Sequence, residues 1–308
     1  MQSYLFNTNS YLSMMKNNIS SISTNPMGVF FMLIGITLVS KFIFLHISEF
    51  CLNLIWEINL EILISDIVNQ NFNYVNAQKF TGFIDQIGTF LIPGLVLIKI
   101  SKDYQLNINK IYNKDIYIII VFLVILLSFT NILSFISANF DLSFLPKNWT
   151  EFLKEQQTIQ EAIQSNFIGN SLPNFSINFI IMAITPAICE ELFFRGTLQP
   201  ILINWSKNKA IGIIVTSIIF GALHFQIENF LAIVFASVLF GYLYEIKKNL
   251  LHTIIIHLLF NTTSLALMHM VENKLWSESG VELIMYYVLT PIGLGLGSIF
   301  CYRFFKNK

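Results

Sequence analysis

IYIIIVFLVILLSFTNILSFIS, residues 116–137, contains no Asp, Glu, Lys or Arg. As a helix these 22 residues would measure ~33 Å, enough to cross a hydrocarbon core of about 30 Å. A soluble helix hides one apolar stripe and shows a polar face to water. This run has no polar face, so its solvent is lipid. Seven more apolar runs flank it, at 27–48, 80–99, 176–205, 210–225, 229–246, 250–270 and 281–302. The expected fold is therefore all-α, a polytopic transmembrane helical bundle of about eight spans. The runs at 210–225 and 229–246 are short and meet at a tight turn around Gln226–Glu228, which reads as a hairpin that need not fully cross.

Composition agrees. Of 308 residues, 55% are hydrophobic, 15% aromatic and 12% charged, with a mean hydropathy of +0.64. A soluble domain carries about 25% charged residues. The 18 basic and 18 acidic residues cancel, leaving no basic face for nucleic acid, so no nucleic-acid partner is expected. Cys51, Cys189 and Cys301 are far apart and form neither a disulfide framework nor a metal knuckle. The segment 1–26 is polar and lacks an apolar h-region, so a removable signal peptide is not expected.

Loop charges set the expected orientation. Lys16, Lys99, Lys102, Lys110, Lys114, Lys207, Lys209, Lys247, Lys248, Arg303, Lys306 and Lys308 fall on one side; Lys79, Lys147, Lys154 and Lys274 fall on the other. The positive-inside bias puts both termini in the cytoplasm. The organisation is then a polar segment 1–26, three transmembrane helices in 27–138, an external loop 139–175, a transmembrane core 176–302 and a short basic tail 303–308. Within the external loop, Trp149–Phe167 reads as an amphipathic helix after a Thr150 N-cap. Trp149, Phe152, Leu153, Ile159 and Ile163 take one face and Glu151, Lys154, Glu155 and Glu161 the other. It is either a helix lying on the membrane surface or a lid, because it leads directly into the fourth span.

That fourth span holds the costly residues. From Ala183 to Gly196 it reads AITPAICEELFFRG, and each ionisable side chain inside the bilayer costs about 2.5–3.5 kcal/mol on an insertion scale. Glu191 and Arg195, at i and i+4, share a face and can pair. Glu190 is rotated by about 100° and remains free for chemistry. Pro186 kinks the helix and Gly196 admits a close neighbour. Phe220-Gly-Ala-Leu-His224 ends the fifth span and His257-Leu-Leu-Phe-Asn261 lies within the seventh. A carboxylate, two imidazoles and a carboxamide are the parts needed to activate water against a carbonyl. His252 falls on another face and reads as structural. Lys41, Asp85 and Glu282 sit near span ends or snorkel, and Gly293 and Gly297 form a packing notch.

In order and spacing, Glu190-Glu191-Leu-Phe-Phe-Arg195, Phe220-Gly-Ala-Leu-His224 and His257-Leu-Leu-Phe-Asn261 resemble the EExxxR, FxxxH and HxxxN motifs of the CPBP family of intramembrane proteases (CAAX protease-like, also called Abi). Gly241-Tyr-Leu-Tyr244 adds to the likeness, which covers about residues 176–268. The resemblance implies an intramembrane endopeptidase in the transmembrane core, acting on a peptide or membrane-protein substrate within lipid. It implies that Glu190 activates water with help from His224, that His257 and Asn261 hold the oxyanion, and that Glu191 with Arg195 brace the helix. Relatives are often described as metalloendopeptidases. Glu190, His224 and His257 offer zinc a carboxylate and two imidazoles, although no HExxH is present and a metal-free mechanism needs the same residues.

Two other classes remain open: a transporter or proton relay, which predicts an internal repeat that the first three spans do not provide, and a non-catalytic binding or immunity protein of the same fold. The Asn-, Ile- and Lys-rich usage resembles that of an AT-rich bacterial gene. This points to a bacterial plasma (inner) membrane and away from prenylated substrates. With His224 near the external end of its span, the site is expected in the outer half of the bilayer.

Overall fold

The computed structural model describes residues 25–306 except 102–103, 142, 144 and 169–171. The polar segment up to residue 24, with Lys16, and also Lys102 and Lys308, lie outside the described residues. Ten helices make up the described residues: α1 Pro26–Trp56, α2 Leu60–Val68, α3 Val75–Ile100, α4 Asn113–Ala138, α5 Lys147–Phe167, α6 Pro173–Ser206, α7 Lys209–Ala222, α8 Phe230–Lys247, α9 Leu250–Glu272 and α10 at 278–306. Seven of them (α1, α3, α4, α6, α8, α9 and α10) are long and apolar enough to cross a membrane. The protein is an integral membrane protein. The fifth of the eight expected spans is the exception: α7 has only 14 residues, about 21 Å of helix.

Asparagine starts many of these helices. The side chains of Asn25, Asn59, Asn208 and Asn249 accept backbone N–H groups at the first turns of α1, α2, α7 and α9. These donors have no intrahelical partner. Proline shapes the interiors. Pro93, Pro186, Pro200 and Pro291 each follow a single wide π turn, at Ile87–Leu91, Phe179–Ile184, Phe194–Leu198 and Met285–Leu289. Just before each proline, the N–H of Ile92, Thr185, Gln199 or Thr290 donates to the carbonyl five residues back. A proline ring collides with the carbonyl four residues behind it and offers that carbonyl no donor. Widening the preceding turn removes the collision and lets the helix continue. The expected kink at Pro186 is thus one of four such accommodations.

α6 is the central element. It packs against α1 and α3 on one side and α9 on the other, and its end packs on α7; α4 packs on α8, α9 and α10. One apolar core joins Val29 and Leu33 of α1, Leu97 of α3, Phe193, Phe194 and Ile201 of α6 and Phe220 of α7. A second joins Ile119, Phe122 and Leu126 of α4 to Phe240 and Leu243 of α8 and Ile256 of α9. Small residues allow the closest approaches. A Cβ on Gly196 would come within 2.7 Å of Leu106, and one on Gly293 would overlap Ser128 of α4. Gly293 therefore makes a packing notch; at Gly297 the nearest atom is at an ordinary 3.8 Å.

Three local expectations need correction. α5 begins at Lys147 with Pro146 at its cap; Thr150 lies inside the first turn, where its hydroxyl donates to the Lys147 carbonyl at 2.8 Å. Lys79 is not a loop charge. It is buried in α3 and donates to the Phe167 carbonyl (2.8 Å) and Asn174 Oδ1 (2.6 Å), a cation at the C-terminus of α5 that complements the helix dipole. Lys41 and Asp85 do not snorkel separately but pair with each other at 2.9 Å, both about half exposed. His252 is buried, as a structural role requires, with Nε2 3.4 Å from an Asp115 oxygen that also takes Lys247 at 2.7 Å.

Candidate active site

The spacing of the EExxxR segment places Glu191 and Arg195 one turn apart on α6, and both are fully buried. Arg195 Nη1 donates to Glu191 Oε1 at 2.8 Å, while Nη2 donates to the Ser237 carbonyl (3.0 Å) and hydroxyl (2.8 Å) on α8. The guanidinium lies over the rings of Phe220 and Phe240, 5.0 and 5.2 Å from their centroids. A planar cation can lie on aromatic rings while its edge N–H groups remain free to bond. The same Glu191 oxygen accepts from His257 Nδ1 at 3.0 Å. α6, α8 and α9 are thereby tied together by one buried carboxylate.

Glu190 faces elsewhere, as the helical rotation requires, but it has partners. Its Oε1 accepts from Gln86 Nε2 on α3 at 3.2 Å, and its Oε2 lies 4.0 Å from His257 Nε2. His257 thus stands between the two carboxylates, stacked on Phe240 at 5.2 Å. His224 lies past the end of α7, in the turn to α8, with Nδ1 2.7 Å from the Phe220 carbonyl. A carbonyl only accepts, so Nδ1 carries the proton and a neutral His224 keeps Nε2 as an acceptor. Asn261 follows His257 by one turn of α9. Glu190, His224, His257 and Asn261 all line one cavity of about 590 Å³, together with Gln86, Phe194 and Ser264. A second cavity of about 430 Å³ shares His224, His257 and Asn261 and extends between α4, α8 and α10 past Asn131 and Ser134. Of the six residues singled out from sequence, Glu190, His224, His257 and Asn261 line this cavity, and Glu191 and Arg195 are buried beside it, Glu191 bonded to His257.

Among the described residues no three His, Cys, Asp or Glu side chains converge to hold an ion. His257 Nδ1 is committed to Glu191 and His224 Nδ1 to a carbonyl, bonds that orient each ring and leave its Nε2 directed elsewhere.

Sequence reasoning missed Gln86, Ser237 and the aromatic pair around Arg195. Amides, hydroxyls and Phe residues are common here and carry no spacing signal of their own. It also gave no part to the glutamines of α5. Gln157, Gln160 and Gln164 recur at helical spacing; Gln157 is buried and accepts the Glu228 N–H at 2.9 Å, and Gln160 and Gln164 line the larger cavity. Trp149 and Phe152 point outward, with Phe152 against Phe225 of the α7–α8 turn. Lys41 and Asp85 line the same cavity. α5 therefore rests across the cavity, on the turn that carries His224.

Residues 172–263 match the model of the Rce1-like family, described as type II CAAX prenyl endopeptidase Rce1-like. The matched segment runs from the start of α6 into α9 and holds all three motifs, so this part of the chain is similar to that family. No curated protein and no solved structure matches the chain.

Proposed function

From a CAAX protease-like segment at residues 172–263, we propose that the protein is an intramembrane endopeptidase that hydrolyses a peptide bond in a membrane-associated protein or peptide. The observation that carries this reading is the convergence of Glu190, His224, His257 and Asn261 on one cavity. Glu190 takes a proton from water as its oxygen bonds to the scissile carbonyl carbon. His224, through its acceptor Nε2, assists in orienting that water. A His257 ring protonated on both nitrogens gives one N–H to Glu191 and the other, with the Asn261 amide, to the oxyanion. Glu190 then passes its proton to the amide nitrogen as the C–N bond breaks. Glu191 and Arg195 act by holding His257 and α6 in register. No step requires a metal.

Two measurements address this reading directly. Comparing new protein termini in membranes carrying the wild type or the Glu190→Gln variant should reveal peptides made only by the wild type. Identical termini in both would favour the non-catalytic binding or immunity role. Repeating the comparison with a strong chelator should leave those peptides within about twofold of their untreated level, because the proposed steps use only Glu190, His224, His257 and Asn261. A prenylated and an unmodified form of one substrate peptide then separate the substrate class in the family's description from the unmodified class that a bacterial composition favours.

The proposed location is a bacterial plasma (inner) membrane with both termini cytoplasmic and the site opening in the outer half of the bilayer, beneath α5. Take a chain with Cys51, Cys189 and Cys301 replaced by Ser. A single cysteine at Lys154 should label with an impermeant maleimide in intact cells, and one at Lys207 only after permeabilisation. The reverse pattern would invert the topology.

A further inference from the structure

Gln86 lies on α3, outside the three motifs and outside the matched segment, yet it reaches the proposed base. Its Nε2 donates to Glu190 Oε1 at 3.2 Å. An ionised carboxylate only accepts, so the amide must turn its nitrogen toward Glu190 and its carbonyl away. That carbonyl, Gln86 Oε1, is buried without a hydrogen-bond donor. The bond to Glu190 thus sets the orientation of the amide even though its carbonyl gains no donor among the described residues. The other Glu190 oxygen, Oε2, is left facing His257 Nε2 at 4.0 Å. The amide therefore distinguishes two otherwise equivalent oxygens.

We propose that Gln86 is a positioning residue for hydrolysis. By occupying Oε1 it fixes the plane of the Glu190 carboxylate and presents Oε2 to the attacking water. α3 thereby contributes to a reaction whose other groups come from α6, α9 and the α7–α8 turn. In the chemical step the water oxygen bonds to the carbonyl carbon, its proton goes to Oε2, and the same proton leaves with the amide nitrogen. Gln86 exchanges no proton and acts only through Glu190, so this inference rests on the endopeptidase reading.

The test uses the full-length protein purified in detergent and an internally quenched peptide that the wild type cleaves. Gln86→Met keeps the length of the side chain and removes both polar atoms. Losing one hydrogen bond to a charged group should lower kcat by about 10- to 100-fold, with KM within about twofold. The thermal midpoint should hold or rise, because the unsatisfied carbonyl is gone. If that variant fails to accumulate, Gln86→Asn carries the test: it has the same chemistry one methylene short and should show the same split between kcat and KM. An unchanged kcat, a rise confined to KM, or a midpoint that falls along with kcat would overturn the positioning role. A wild type no faster than Glu190→Gln on the peptide would defeat the endopeptidase reading itself. An inactive Glu190→Gln beside a fully active Gln86→Met would defeat only the inference about Gln86.

Discussion

Glu190→Gln should abolish peptide cleavage while leaving the protein folded and inserted. The substitution keeps the shape of the side chain and removes its ability to take a proton. General-base catalysis is worth about 10²–10⁴ in rate, so the residual activity should fall by at least about a hundredfold. Stability should not follow. Glu190 is buried, it bonds to Gln86 and faces the more distant His257, and an amide at this position can still accept from Gln86. Neutralising a buried carboxylate also removes a desolvation cost, so the thermal midpoint should be unchanged or higher. Glu191→Gln, one residue along, should behave differently, since that carboxylate holds Arg195 and His257: both rate and midpoint should fall. Two neighbouring glutamates would then differ in kind, one affecting rate alone. Cleavage retained by Glu190→Gln would remove this residue from the chemistry.

The second large effect is expected at Arg195. Arg195→Met deletes a fully buried cation and leaves Glu191 buried beside it. Breaking a buried pair by removing one partner costs about 3–5 kcal/mol, and loss of the stacking on Phe220 and Phe240 adds about 0.5–2 kcal/mol. The measurement is unfolding in detergent by heat or by titrated denaturant. Arg195→Lys should not rescue it, because an ammonium lacks the planar fork that lies over the two rings while bonding both Glu191 and Ser237. Adding Glu191→Gln to Arg195→Met should recover part of the lost stability, since the uncompensated charge is gone. In a double-mutant cycle the coupling should be on the order of 1–3 kcal/mol. Strict additivity would show that the pair is not coupled as its 2.8 Å contact requires.

Much of this molecule could be read from its sequence, for identifiable physical reasons. Spans announce themselves because lipid forbids charge over about 20 residues, so the run at 116–137 needed no structure to place it. The Glu191–Arg195 pair was legible because four residues is one helical turn. What was not legible depended on distance along the chain. Lys79 looked like a loop charge because its acceptors, Phe167 and Asn174, lie 88 and 95 residues away. Gln86 gave no signal because its partner is 104 residues distant. α2 and the inner glutamine face of α5 were missed because short or polar helices lack the apolar run that marks a span. Lys41 and Asp85, read singly, seemed incidental; their pairing depends on how α1 packs on α3.

The four wide turns before proline have a consequence for the history of the chain. Each is one residue more than an α-helix needs over that turn, lodged ahead of a proline that the extra residue accommodates. Insertion and proline should therefore be inherited together. A relative without Pro200 should be one residue shorter in the stretch before it, since an unrelieved extra residue would rotate everything beyond by about 100° and turn Gln199 away from its bond to the Gly241 carbonyl. Replacing Pro200 by alanine in this chain would not straighten α6, because the surplus residue would still be there.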